Sequence, residues 1–184
     1  MSSARESEHD APADIVVTRV FDAPRELVFE VWTVADHLAR WFGPRAAETV
    51  SCTLDPRPGG VIHLCHQSAD GTRLWAKGVF QEVIAPERLV FTLAIVDDDG
   101  RPTKHPFVPD WPQDAVIETR VSLEVVGHGT RVTVRSRVTP AEAASLESVA
   151  FERRLARQGW AEVFDRLAEH LVVAARKGGS QWRS

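Results

Sequence analysis

Histidine and cysteine are the side chains of this 184-residue sequence best suited to chemistry. His63, Cys65 and His66 fall within four positions, with Cys52 and His105 further off. Imidazole and thiolate at that density suggest a tetrahedral metal site. Side chains on a strand alternate, however, so His63 and Cys65 share one face and His66 takes the other. A closed site would need Cys52 and His105 brought in from a distance, and nothing in the spacing requires that. No metal is therefore expected, and His63 is assigned instead as a polar anchor inside a cavity. Asp97-Asp98-Asp99-Gly100 lacks the alternating oxygen ligands and terminal glutamate of a calcium loop and reads as a solvated turn. Arg153, Arg154 and Arg157 with Glu152 and Glu162 read as a charged helix face. There is no nucleophile elbow, phosphate-cradling glycine loop or paired acid motif, and the chain has no tyrosine. No catalytic residue and no cofactor are assigned.

The aromatic residues suggest a different use. Trp32, Trp41, Trp75, Trp111 and Trp160 are a heavy indole load for one domain. A cavity lined by such rings suits a flat apolar ligand held by shape and a few polar contacts. The candidate cavity set adds Phe80, Phe164 and Phe107, with His63 and Cys65 from the strand described above. Core packing is the competing reading for Trp32, Trp41 and Trp160. Trp111 lies on a proline-rich stretch, where a core role has less reason, and is read as closing over a cavity mouth.

These side chains must be carried by strands and helices whose order is legible. Residues 1–12 lack apolar periodicity and read as a tail. The β-branched run Ile15 to Phe21 predicts a strand ended by Asp22-Ala23-Pro24. Pro24 then opens a short helix carrying Leu27, Val28, Val31 and Trp32, and Asp36 is expected to cap a second one carrying Leu38 and Trp41 before Gly43-Pro44. Strands are predicted near 46–54, 61–68, 73–84, 88–97, 115–126 and 130–138, joined mostly by turns short enough for hairpins. The exception, Asp97 to Asp114, holds four prolines and reads as a long loop. From Thr139-Pro140 the period becomes helical, with a stripe of Phe151, Leu155, Val163, Phe164, Leu167 and Leu171, and Gly178-Gly179 ends the ordered part. One domain over residues 13–176 is expected, with a second tail over 177–184.

Composition narrows the partners. The chain is 43% hydrophobic and 26% charged, ordinary for a globular domain. A net charge of −4 and a pI near 6.0 argue against nucleic acid or anionic lipid as a partner. No stretch is long and apolar enough to span a bilayer, and residues 1–12 lack a signal-peptide core, so a cytoplasmic location is expected, without membrane insertion. There the two cysteines would stay reduced.

Several sequence words occur in a specific order: Phe21-Asp22-Ala23-Pro24 with Val28-Phe29-Glu30-Val31-Trp32-Thr33, then Trp41-Phe42-Gly43-Pro44, then Gly59-Gly60. Gly78-Val79-Phe80 with Pro86-Glu87-Arg88-Leu89-Val90-Phe91, Gly129-Thr130-Arg131-Val132, and Gly159-Trp160 complete the series. Over about residues 14–175 this resembles the AHSA1-like (activator of Hsp90 ATPase 1-like) branch of the START/Bet v 1 (SRPBCC) superfamily. The resemblance implies an α+β helix-grip fold: a curved antiparallel sheet of six to seven strands around a long C-terminal helix, with two short helices after the first strand. It also implies a cavity between sheet and helix whose usual occupants are small apolar molecules, and no shared catalytic residues. The leading expectation is non-enzymatic binding of a small hydrophobic or aromatic molecule. The alternatives are a polyketide cyclase or hydrolase-like enzyme using His63 or His105, and an Hsp90-type co-chaperone or protein-interaction module. A homodimer is compatible with all three.

Overall fold

Local sequence sets the elements closely. The computed structural model describes residues 15–108, 111–139 and 146–178, with 146–156, 177 and 178 described for their backbone only. Of the expected tails at 1–12 and 177–184, residues 1–12 and 179–184 lie outside the described residues, while 177 and 178 continue the last helix. The β-branched run forms β1 (Ile15–Phe21). The ninety-residue strand region yields β2 (Ala47–Leu54), β3 (Val61–Ser68), β4 (Arg73–Ile84), β5 (Arg88–Val96), β6 (Val116–Val126) and β7 (Gly129–Thr139). All seven lie in one sheet in the order β1-β7-β6-β5-β4-β3-β2, each pair antiparallel. Hairpins therefore run from β2 to β7, and β1 returns to pair with β7, Ile15 opposite Ser136 and Phe21 opposite Thr130. Register irregularities at Thr49/Ser51 in β2 and Phe80/Glu82 in β4 sharpen the curl of the sheet. At Gly78 a β-carbon would lie 1.7 Å from the Thr92 carbonyl oxygen, so close approach of β4 and β5 there requires glycine.

The helices occupy the concave face. Pro24 supplies the fixed φ at the start of α1 (Arg25–Thr33), and its carbonyl accepts the first helical bond from Val28 N–H at 3.0 Å. Val34 closes α1 through a bond to the Glu30 carbonyl and also opens α2 (Ala35–Trp41). Asp36 was expected as the cap of this second helix, but Val34 occupies the cap position without a side-chain bond. Asp36 sits in the first turn, where its charge still suits the helix dipole. The long helix α3 (Leu146–Gly178) turns Val163, Phe164, Leu167, Leu171 and Ala174 inward at three- and four-residue spacing. Phe151 and Leu155 of the expected stripe lie outside the described side chains.

The core sits between these helices and the inward residues of β3 to β7, including Leu64, Phe80, Leu89, Phe91, Val121 and Val134. Buried hydroxyls are paired: Thr130 Oγ1 donates to the Ala23 carbonyl at 2.7 Å, and Thr119 meets Ser136 at 3.1 Å. Among the described residues no helix is long and apolar enough to cross a membrane. Leu167 is fully buried, whereas Val172 on the same helix is 53% exposed. Leu167→Ala should lower unfolding free energy by about 2–5 kcal/mol in urea titrations, and Val172→Ala by no more than about 0.5 kcal/mol. Equal effects would show that α3 does not grip the sheet through this face.

Candidate functional site

A small cavity lies where α1 and α2 arch over β2 to β5. Trp32 comes from α1, Leu38 from α2, and Phe42 is the residue that caps the C-terminus of α2. The sheet contributes Leu54, Ile62, Leu64, Phe80, Phe91 and Leu93. Its volume is only ≈10 Å³, about the room of one water molecule. Beside it an open groove of ≈290 Å³ runs between the Phe42-Gly43-Pro44 turn and the Gly159, Trp160 and Val163 segment of α3. Phe42 lines both spaces and so forms their common wall.

An aromatic cluster builds that wall. Trp32 packs edge-on against Trp41 with ring centroids 4.6 Å apart and stacks on Trp160 at 6.3 Å. Phe42 meets Trp41 at 5.7 Å and Trp160 at 6.1 Å. Phe164 extends the cluster, with Trp160 at 6.0 Å and Phe21 of β1 at 5.4 Å. Trp41 Nε1 donates to the Val31 carbonyl at 2.9 Å, but Trp32 Nε1 is buried without a partner.

The backbone that presents Phe42 is tied to α3. Arg166 donates to the carbonyls of Gly43 (2.8 Å), Pro44 (3.1 Å) and Arg40 (3.0 Å), satisfying the free end of α2. The Arg45 amide donates to Glu162 at 3.0 Å, and its guanidinium reaches Glu169 at 2.9 Å. Gly43 has φ +106°, and a β-carbon there would fall 2.4 Å from the His66 ring, so both conformation and space exclude a side chain. His66 reaches this point from β3. Its Nδ1 lies 3.1 Å from Thr49 Oγ1, whose hydroxyl donates to the Phe42 carbonyl at 3.4 Å, leaving the Thr49 oxygen to accept from His66.

A sequence profile described as "Activator of Hsp90 ATPase homolog 1-like protein" matches residues 22–172. The chain belongs to the AHSA1-like family. Solved structures agree with the SRPBCC helix-grip fold. A Nitrosomonas europaea protein is 25% identical with TM-score 0.69, covering 89% of this chain and 96% of its own. An Arthrobacter aurescens protein is 24% identical with TM-score 0.70, covering 87% and 86%. An AHSA1-like protein from Aeromonas hydrophila is 21% identical with TM-score 0.63, covering 88% and 94%. A comparison with curated proteins found no match.

In this AHSA1-like chain the residues singled out from the sequence separate into three places. Trp32 and Phe80 line the cavity and Trp160 lines the groove, with Trp41 and Phe164 packed behind them. His63, Cys65 and Trp75 do not reach either space. Residues directly opposite each other share a face, and Cys65 pairs with Trp75 while Leu64, which lines the cavity, pairs with Cys52 and Ala76. His63 stacks on Trp75 at 5.0 Å on the convex face. The expectation of His63 as an internal anchor is therefore corrected: the concave face of β3 carries Ile62, Leu64 and His66. Cys52 and Cys65 lie on opposite faces and are free, and burial pushes the Cys52 thiol up to about 11, with Asp36 adding to it. Phe107 and Trp111 belong to the long loop; Phe107 is half exposed, and Trp111 packs against His105 at 5.7 Å and against the core edge. Among the described residues no group of three or more metal-ligating side chains converges.

Phe42, Leu38 and Thr49 were not among the sequence candidates, although Phe42 stands inside the Trp41-Phe42-Gly43-Pro44 word, and His66 had been weighed only as a metal ligand. Burial, reinforced by the Arg166 charge, pushes His66 down to about 4 from its ordinary 6.5. The folded state thus favours neutral His66, and the stability this confers is present above pH 6.5 and lost as pH falls toward 4. The loss should be on the order of 3 kcal/mol, and His66→Gln should remove most of that acid sensitivity in denaturation curves at pH 7 and pH 4. An unchanged difference between the two pH values in the variant would show that His66 is not the titrating group.

Proposed function

We propose that this chain binds a small apolar or aromatic molecule between its sheet and its helices, without catalysing a reaction on it. The observation that supports this most is the pairing of a hydrocarbon-walled cavity with an open apolar groove across a single ring, Phe42. A cavity of about 150 Å³ holds benzene, so an occupant must displace the Phe42 ring toward the groove beside Trp160. The Phe42 backbone is held by Thr49 and by the Arg166 clamp next to it, which leaves ring rotation as the least disruptive movement.

The enzyme alternative relied on His63 or His105 facing the cavity. His63 sits on the other face of the sheet, and His105 accepts the Phe107 amide at 3.1 Å on the long loop. Neither is placed to act on a molecule in the cavity. The family's description raises the co-chaperone alternative, which an ATPase assay with an Hsp90 homologue addresses directly.

A thermal-shift titration with benzene, naphthalene and medium-chain fatty acids should give concentration-dependent increases in Tm, because a ligand that binds only the folded state stabilises it by mass action. Phe42→Ala removes the ring that must move, and should give a larger shift for benzene than the parent protein does. No shift in either protein across the series would overturn the binding reading.

A further inference from the structure

The geometry points to Trp32 Nε1 as the hydrogen-bond donor that anchors the ligand, and hence to an occupant that is flat and apolar but carries one acceptor, such as an aryl ketone or aldehyde. This rests on the binding reading above and specifies the chemical class that the site selects. Of the side chains lining the cavity, Trp32 alone contains a heteroatom; the others are leucine, isoleucine and phenylalanine. Trp32 is 2% exposed and its indole N–H has no partner. A buried donor left unpaired carries a desolvation cost that a matching acceptor relieves.

The neighbouring groups do not supply that acceptor. Trp41 uses its own N–H on the Val31 carbonyl, and the rings of Trp41, Phe42 and Trp160 packed on Trp32 carry no lone-pair acceptor. Other buried unpartnered donors, Trp111 Nε1 among them, belong to residues that line neither the cavity nor the groove. A hydrocarbon ligand would fill the space and leave the Trp32 donor unmet. A ligand with two or more polar groups would bring its surplus against leucine and phenylalanine walls. One acceptor at one edge of an otherwise apolar ring system satisfies both constraints.

The test compares 2-acetylnaphthalene with its hydrocarbon isostere 2-isopropenylnaphthalene, which match in shape and differ in the carbonyl oxygen. The parent protein should bind the ketone roughly tenfold more tightly. Trp32→Phe should bind the two with equal affinity, whatever the smaller ring does to the affinity for both. In ¹⁵N-tryptophan-labelled parent protein, the Trp32 indole resonance, assigned through its contacts with Trp41 and Trp160, should move downfield with the ketone and not with the isostere. That resonance decides the matter if Trp32→Phe does not fold. Equal binding of both probes with a stationary indole resonance would overturn the donor assignment and leave the binding reading standing. Failure of both probes to bind would overturn both.

Discussion

The connection from one edge of the sheet to the other governs this molecule. Because β1 pairs with β7 and β2 lies at the far edge, the chain must cross the whole sheet between Phe21 and Ala47. Six inter-strand spacings of about 4.8 Å make a flat sheet roughly 29 Å wide. Two helices of 9 and 7 residues, with the bend at Val34 between them, extend only about 14 and 10 Å. Residues 22–24 and 42–46 supply the rest of the reach, so the curl serves packing: it wraps the inward side chains of the sheet around the apolar faces of both short helices. Curling brings the edges together and turns α1 and α2 into an arch over β2 to β5. The cavity is the space beneath that arch.

The arch is fastened at its far end by polar contacts and filled in its middle by rings. Arg166 draws three carbonyls around the end of α2 to α3, and Glu162 and Glu169 hold Arg45 alongside. The His66 ring occupies the space that Gly43 leaves open, with Thr49 within hydrogen-bond distance of its Nδ1. Phe42 thus has a well-held backbone and a ring lodged between two spaces. Exposed ion pairs contribute modestly on their own. Here their consequence is positional, since they set where the wall of the cavity stands.

Polar groups are sparse where α1 and α2 meet the sheet, and most that are buried are paired, as with Trp41 to Val31, Thr130 to Ala23 and Thr119 to Ser136. Against that background the unpartnered Trp32 donor is informative. It belongs to the one side chain lining the cavity that contains a heteroatom, and that cavity is too small to admit a ligand without movement. An apolar lining of this kind also makes any single hydrogen bond formed inside it discriminating.

The elements and their order were legible because local chemistry decides them. The β-branched run at Ile15 to Phe21, Pro24 ahead of a helical pattern and the long stripe from Val163 to Leu171 fall where the structure has β1, α1 and α3. The order of the words Phe21 to Pro24, Trp41 to Pro44 and Gly159-Trp160 carried the family resemblance. The facing of β3 was not legible: Val61-Ile62-His63-Leu64-Cys65 puts apolar residues on both faces, and Cys65 is fully buried on the convex side, so alternation offered no way to choose. Sequence alone therefore determined which segments become strands and helices and that rings such as Trp32, Phe80 and Trp160 would be present. Only the tertiary structure decided that His66 rather than His63 faces inward, because that depends on which face of β3 meets the turn at Gly43, and that Phe42 divides cavity from groove, because the groove forms only where α3, more than a hundred residues further on, meets that turn.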